Sequence, residues 1–340
     1  MRGGTSQGCG GWNMRVVVTG GAGFIGANLV RRLVTTPGIT GVVVVDDLST
    51  GGLANLAGID DEDVETPVDV RIGSILDEGL LQAAFAGADA VVHLAALPSV
   101  PRSIDDPMAS HLVNATGTLS VLEAARRAGN LHVVLASSSS VYGANPALPK
   151  SENLQLRPMS PYAVSKQATE AYALAYAHCF GLPVLPFRFF NVFGPLQAAG
   201  HAYAAAIPAF LDAAMRGVPV PIEGDGLQTR DFTYVGSVSM AVIDALQRRV
   251  TSDTAVNLAF GSRCTLLELI DELERQVGTP LVREHRAPRQ GDVRHSQADA
   301  TRLRALFPEL EPVDLQTGLR QTIDWFRTLP EYALGGASVR

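Results

Sequence analysis

Tyr162 and Lys166, four residues apart, are the pair in this sequence best suited to moving a proton. Four residues is about one helical turn, so both side chains fall on one face of a helix. A free tyrosine, with a pKa near 10, is a poor base at neutral pH. A lysine ammonium one turn away favours the phenolate and lowers that pKa. Upstream, the serine run Ser137–Ser140 follows the apolar stretch Leu131–Ala136, and a hydroxyl there can orient or relay the same proton. Asn114 reads as the start of a helix. Each feature also has an ordinary reading. A YxxxK on a helix is common, Tyr172 and Tyr176 read as packing or interface residues, a serine run is often a linker, and Asn114 could be an N-cap. It is their order, after a glycine turn and an acidic strand end, that makes coincidence improbable.

The glycine turn is Thr19-Gly20-Gly21-Ala22-Gly23-Phe24-Ile25-Gly26, between an expected strand at Met14–Thr19 and an expected helix at Phe24–Val34. Gly20 permits the tight turn, Gly23 lets backbone approach a pyrophosphate, and Gly26 lets the helix pack close. The helix N-terminus then faces the phosphate charge. The next apolar run, Gly41–Val45, ends on Asp46 and Asp47, where a ribose-binding carboxylate belongs. Such a carboxylate repels a 2'-phosphate, and no Arg or Lys follows in 47–52 to receive one. The expected cofactor is therefore NAD and not NADP, and its cationic nicotinamide would further favour the Tyr162 phenolate.

Further apolar runs at Asp69–Ile72, Ala90–Leu94, Leu131–Ala136 and Pro183–Phe189 alternate with helical stretches at Glu78–Phe85, Asn114–Ala128 and Pro161–Phe180. This alternation predicts an α/β fold with a doubly wound parallel Rossmann sheet over residues 14–190. A smaller α/β C-terminal substrate-binding lobe is expected over 191–330. A segment near 231–260, beginning at Asp231–Val238, is expected to return to the first domain. Residues 1–13 read as a disordered tail or an added segment, with Met14 as a natural start.

The net charge of −7 argues against nucleic acid as the main ligand. It leaves room for a phosphate-bearing small molecule, which needs only a few arginines and helix N-termini. Cys9, Cys179 and Cys264 are far apart with no CxxC, so neither a disulfide framework nor a metal site is expected. No stretch has the apolar length of a membrane span. A cytoplasmic enzyme is the expectation.

The segments TGGAGFIG, HLAA (93–96), NATGT (114–118), SSSSVYG (137–143) and YAVSK (162–166) together resemble the extended short-chain dehydrogenase/reductase family. The resemblance runs from about Met14 to Phe326. It implies Tyr162 as catalytic base, Lys166 as its partner and ligand of the nicotinamide ribose, and Ser138 as the catalytic hydroxyl. It implies cofactor contacts from Gly20, Gly23, Phe24, Ile25 and Gly26, from Asp46 and Asp47, from Ser74 and Ile75, from Leu94, Ala95 and Ala96, and from Asn114. Ser74 departs from the family, which usually has an adenine-contacting Asp there. Val235–Val238 also departs, where relatives often carry acidic residues.

The resemblance further implies a nucleotide-linked sugar as substrate. Asn191, Arg230 and Arg289 would meet the diphosphate and Asp292 the ribose. Ser99, Arg102, Ser103, Ser138, Ser139, Ser140 and Ser296 would line the sugar site. Related 4,6-dehydratases carry an Asp-Glu pair directly after the catalytic hydroxyl, and related decarboxylases a Glu two residues after it. Ser139 and Ser140 stand here instead, which points to a plain 4-epimerase. SVPRSIDDP (99–107), PLQAAGHAYAAAIP (195–208) and GDVRHSQAD (291–299) resemble bacterial UDP-N-acetylglucosamine 4-epimerases. Galactose-restricted relatives carry a bulky residue at the position of Ser296, where serine leaves room for a 2-acetamido group. A UDP-uronic acid epimerase or a dehydratase of the same fold is the alternative. The resemblance also implies a homodimer through the helices at about 108–128 and 161–180.

Overall fold

A computed structural model describes residues 13–59, 65–199, 205–287 and 293–333. Six strands of the central sheet come in order: β1 (Met14–Thr19), β2 (Ile39–Asp46), β3 (Val68–Ile72), β4 (Ala90–His93), β5 (His132–Ser138) and β6 (Val184–Phe189). Five short strands follow: β7 (Val192–Phe193), β8 (Val220–Glu223), β9 (Thr229–Arg230), β10 (Thr233–Tyr234) and β11 (Val256–Leu258). The last of these is the seventh strand of a sheet ordered β11-β6-β5-β4-β1-β2-β3. Every pairing in that sheet is parallel.

The valine-rich strands are buried on both faces because helices cover both. Val16 and Val18 pack with Val42, Val44 and Val92 on one side, while Val17 packs with Val43, Val45 and Val91 on the other. That alternation is what period-two side chains of a doubly covered sheet must do.

The helices in order are α1 (Phe24–Leu33), α2 (Glu78–Phe85), α3 (Val100–Asp105), α4 (Pro107–His111), α5 (Gly117–Arg127), α6 (Pro161–Phe180), α7 (Ala206–Arg216), α8 (Val235–Arg248), α9 (Leu266–Val277), α10 (Thr301–Leu306) and α11 (Leu315–Thr328). Helix α6 spans the range its sequence predicts, from the Ser160 cap to left-handed Gly181. Asn114 differs from expectation. It lies inside a π turn, Leu112–Thr116, that joins α4 to α5 as one helical run, so it opens no helix. Single π turns of this kind often mark functional sites.

The return to the sheet is made by α8 and β11, with β11 pairing β6. The departure at Val235–Val238 is thereby accounted for. Val235, Ser237 and Val238 are buried, and the Ser237 hydroxyl accepts from Val313 N at 2.9 Å. A carboxylate there would have to be desolvated. A second core is built by Phe210, Leu211, Val220, Ile222, Leu269, Ile270, Leu319, Ile323 and Phe326, all from residues after β6. Among the described residues no helix is long and apolar enough to cross a membrane.

Candidate active site

The chain order reverses at β1, which pairs β2 on one side and β4 on the other. Ligands of open parallel sheets bind at the carboxyl ends of strands at such a point. A cavity of about 1050 Å³ opens there and runs from Asp46 to Tyr162 and Lys166. That is ample for a dinucleotide and part of a second ligand.

The first turn is shaped for close approach. Gly20 has φ +74, and a Cβ on it would sit 2.6 Å from the Ala95 nitrogen of the neighbouring strand end. A Cβ on Gly26 would meet the Gly20 carbonyl at 2.1 Å. Helix α1 starts at Gly23 with no side-chain cap, so its first N–H groups are left for an anion. Gly23, Phe24, Ile25 and Gly26 all line the cavity. Asp46 is buried, its carboxylate held by Ala22 N at 2.9 Å and Leu48 N at 2.8 Å. A carboxylate has further lone pairs, so Asp46 can still accept from ribose hydroxyls. Asp47 lines the same end and accepts from Ser49 N at 3.0 Å. Gly73 and Ile75 flank the adenine end, while Ser74 between them accepts from Leu76 N at 3.2 Å. These residues fit a dinucleotide without 2'-phosphate.

At the other end, Ser138 closes β5, Tyr162 and Lys166 project from α6, and all three line the cavity. Burial pushes the Tyr162 phenol pKa up, and the Ser138 hydroxyl beside it only partly opposes this. Burial likewise lowers the Lys166 ammonium to about 8, against the pull of Glu170 one turn on. Lys166 Nζ donates to the Ala136 carbonyl at 2.9 Å. The expectation is that Lys166 together with a cationic nicotinamide lowers the Tyr162 pKa; in the protein alone burial keeps it raised. NAD held here would supply that further positive charge and the hydride acceptor.

Behind this end sits His93, facing Thr19 across β1 and β4. Its ring meets Thr19 Oγ1 at 2.7 Å and Thr118 Oγ1 at 3.0 Å. Burial, with the Lys166 charge second, lowers its pKa to about 3, so the ring is neutral at pH 7. Sequence reading used this histidine only as part of HLAA.

The remaining expected residues divide into those on the cavity wall and those behind it. Leu94, Ala95, Ala96, Ser99 and Arg102 are on the wall. Ser99 caps α3 by accepting from Arg102 N at 3.3 Å. Ser103 is buried and donates to Val100 O at 2.7 Å. Asn114 is buried and braces the loop after β4. Its Oδ1 accepts from Leu97 N at 2.8 Å and its Nδ2 donates to Leu97 O and Ser165 Oγ. Ser139 and Ser140 form the 3-10 turn after Ser138, and neither lines the described cavity.

Asn191 lines both this cavity and a smaller pocket of about 220 Å³ that also contains Arg230. Its φ is +30, and its side chain donates to Asp231 O at 3.2 Å. Arg230 Nη1 donates to the carbonyls of Thr229 and Arg294 at 2.9 and 3.2 Å. Ser296 runs beside this strand, its nitrogen on Thr229 O at 3.0 Å, and is in neither lining. Arg289 and Asp292 lie outside the described residues. Gln197 joins the two cavities and was not singled out from sequence. Its Oε1 is buried with no partner among the described residues.

With this geometry in view, the comparisons are specific. Residues 16–259 match the model of the NAD dependent epimerase/dehydratase family. The UDP-glucose 4-epimerase of Mycolicibacterium smegmatis is 39% identical over 318 residues, covering 92% of this chain and 99% of the relative. A UDP-N-acetylglucosamine 4-epimerase from Methanobrevibacter ruminantium, solved with UDP-N-acetylmuramic acid, superposes with a TM-score of 0.86 at 33% identity, covering 93% and 98%. The Thermus thermophilus UDP-glucose 4-epimerase, solved with NAD, gives 0.82 at 33% identity, covering 93% and 99%. UDP-glucuronate 4-epimerases and dTDP-glucose 4,6-dehydratases match as well. The chain belongs to the NAD-dependent epimerase/dehydratase family. It is an NAD-dependent isomerase of that family.

Proposed function

We propose that the protein is a 4-epimerase of UDP-hexoses, acting on UDP-GlcNAc and UDP-GalNAc and also on UDP-glucose and UDP-galactose. The carrying observation is the position of Tyr162, Ser138 and Lys166 on the wall of a cavity that Asn191 and Gln197 join to a second pocket with Arg230. Tyr162 accepts the proton of the sugar 4-hydroxyl, Ser138 holds that oxygen, and Lys166 keeps positive charge beside the phenolate. NAD held by the glycine turn and Asp46 would take up the C4 hydride and give it back to the opposite face after the 4-keto sugar has turned about its diphosphate linkage, and Tyr162 returns its proton to the 4-oxygen.

Dehydration would need a further acid and base beside Ser138. Among the described residues the carboxylates lining the cavity are Asp46, Asp47, Asp212 and Glu331, and Ser139 and Ser140 occupy the positions that follow Ser138. The N-acetylated preference rests on the resemblance at Ser296, which lies beside the Arg230 strand and lines neither described cavity. Purified protein should interconvert UDP-GlcNAc and UDP-GalNAc without added reductant and without change of mass. Loss of water from the sugar would favour a dehydratase, and turnover confined to UDP-glucuronate would favour the uronate reading.

The same reading includes a homodimer. Ile104, Met108 and Leu112 on one helical run and Val164, Tyr172 and Phe180 on α6 are exposed apolar side chains on elements that pack together. A second copy is the expected cover, and sedimentation of the purified protein as a monomer would remove it.

A further inference from the structure

The catalytic end rests on a buried ion pair that the hydride chemistry does not use. Glu170 follows Tyr162 and Lys166 at the same four-residue step, so it continues their face of α6. Its carboxylate takes a two-point contact from Arg188 of β6, at 2.8 Å from both Nε and Nη2, with both side chains 5% exposed. Ser137 pairs with Arg188 across β5 and β6, and its hydroxyl donates to Glu170 Oε1 at 2.5 Å. On the other side, Arg188 Nη1 donates to the Tyr142 hydroxyl at 2.9 Å. The pair therefore holds Ser137 and Tyr142, the two residues that bracket Ser138–Val141.

The chain of contacts continues into the substrate side. Tyr142 OH donates to Asn257 Oδ1 at 2.6 Å, and Asn257 Nδ2 donates to Lys150 O at 2.7 Å. Lys150 in turn bonds the backbone of Gln297 and Asp299, immediately after Ser296. One connected network thus reaches from the catalytic helix, around the serine turn, to the segment beside Arg230. A buried ion pair is poor evidence for stability, because apolar residues of similar volume often serve as well. Geometry is what this pair can supply that they cannot, since a two-point guanidinium–carboxylate contact fixes orientation as well as distance.

We propose that Glu170 and Arg188 are positioning residues for catalysis: through Ser137 and Tyr142 they hold the Ser138 hydroxyl at Tyr162. The proposal rests on the assignment of Ser138 and Tyr162 as reacting groups. The test is a double-mutant cycle on the NAD-loaded enzyme, read as kcat and KM at a temperature well below each variant's thermal midpoint. The charge-neutral pair Glu170→Met with Arg188→Met should lower kcat about 10- to 100-fold, with KM changed less than about threefold. Ser138→Ala should lower kcat by a similar factor. Combining the two should cost no more than about twofold beyond the larger single effect, because both remove the same hydroxyl from the same place. If the paired variant does not fold, Ser137→Ala and Tyr142→Phe decide, each removing one hydroxyl and each expected to lower kcat about three- to tenfold. Unchanged kcat in the folded variants, or effects that multiply with Ser138→Ala, would overturn the proposal. If the unsubstituted enzyme turns over no sugar nucleotide, the assigned function fails instead, and the two failures are distinct.

Discussion

The two described cavities are lined by regions with different strand contacts. In the sheet half, the contacts come from the ends of parallel strands in one continuous hydrogen-bonded register, such as Thr19 opposite His93 and Ser138 opposite Phe189. In the lobe they come from short pairings, β7 with β10 and β9 with Cys264–Thr265, each two residues long. Ser138 stands at the end of one such strand, while Tyr162 and Lys166 stand on α6 beside it. Arg230 lies in one of these short pairings, between the buried Thr229 and Asp231.

The largest effect should come from breaking the sheet half at its turn. Gly26→Val places carbon where the Gly20 carbonyl already is, so the purified variant should contain no bound NAD and should melt well below the unsubstituted protein. A variant that retains bound NAD would show that the turn is not the cofactor cradle. Next, Tyr162→Phe keeps the ring and removes the base, and kcat should fall about 10²- to 10⁴-fold with NAD still bound. Arg230→Ala tests the lobe. Its effect should fall on binding, with KM for the sugar nucleotide raised about 10- to 100-fold and kcat little changed, as for loss of a charge-assisted contact felt equally in ground and transition states. A fall in kcat of the same size would mean that Arg230 takes part in the reacting geometry.

The smallest effect is a pH dependence specific to the sheet half. His93 has its folded pKa depressed to about 3, below its ordinary value, so the unfolded chain binds a proton that the folded protein does not. Its contribution is fully present above about pH 6.5 and is lost as pH falls toward 3, at roughly 1.4 kcal/mol per pH unit. Denaturant unfolding at several pH values should show this slope, and His93→Gln should flatten it. An unchanged slope in the variant would place the acid sensitivity elsewhere.

Much of this was legible in the residues. The glycine turn, Asp46, Ser138, Tyr162 and Lys166 each announced a position, because each needs a particular local geometry and that geometry has a short-range signature. The range of α6 followed from the Ser160-Pro161 start and the Gly181 stop. Asn114 was misplaced because a π turn continues a helix where sequence reading had begun one. That choice depends on Leu97 and Ser165, residues distant in the chain. Gln197 and the Glu170–Arg188 pair were not foreseen for the same reason. A glutamine in a loop, a glutamate on a helix and an arginine in a strand look like ordinary solvated residues until the fold brings them together.

The sequence alone indicated the class of fold and the cofactor and put Tyr162 and Lys166 on one helix face, since strand–turn–helix patterns and four-residue spacing are local properties of the chain. Tertiary structure decided the electrical state of that pair. Burial raised the Tyr162 pKa and lowered that of Lys166, shifts that four-residue spacing does not show. It also decided the contacts that bracket Ser138, because Ser137, Tyr142, Glu170 and Arg188 meet only when β5, β6 and α6 pack. Desolvation and packing depend on what surrounds a residue, and most of those surroundings come from elsewhere in the chain.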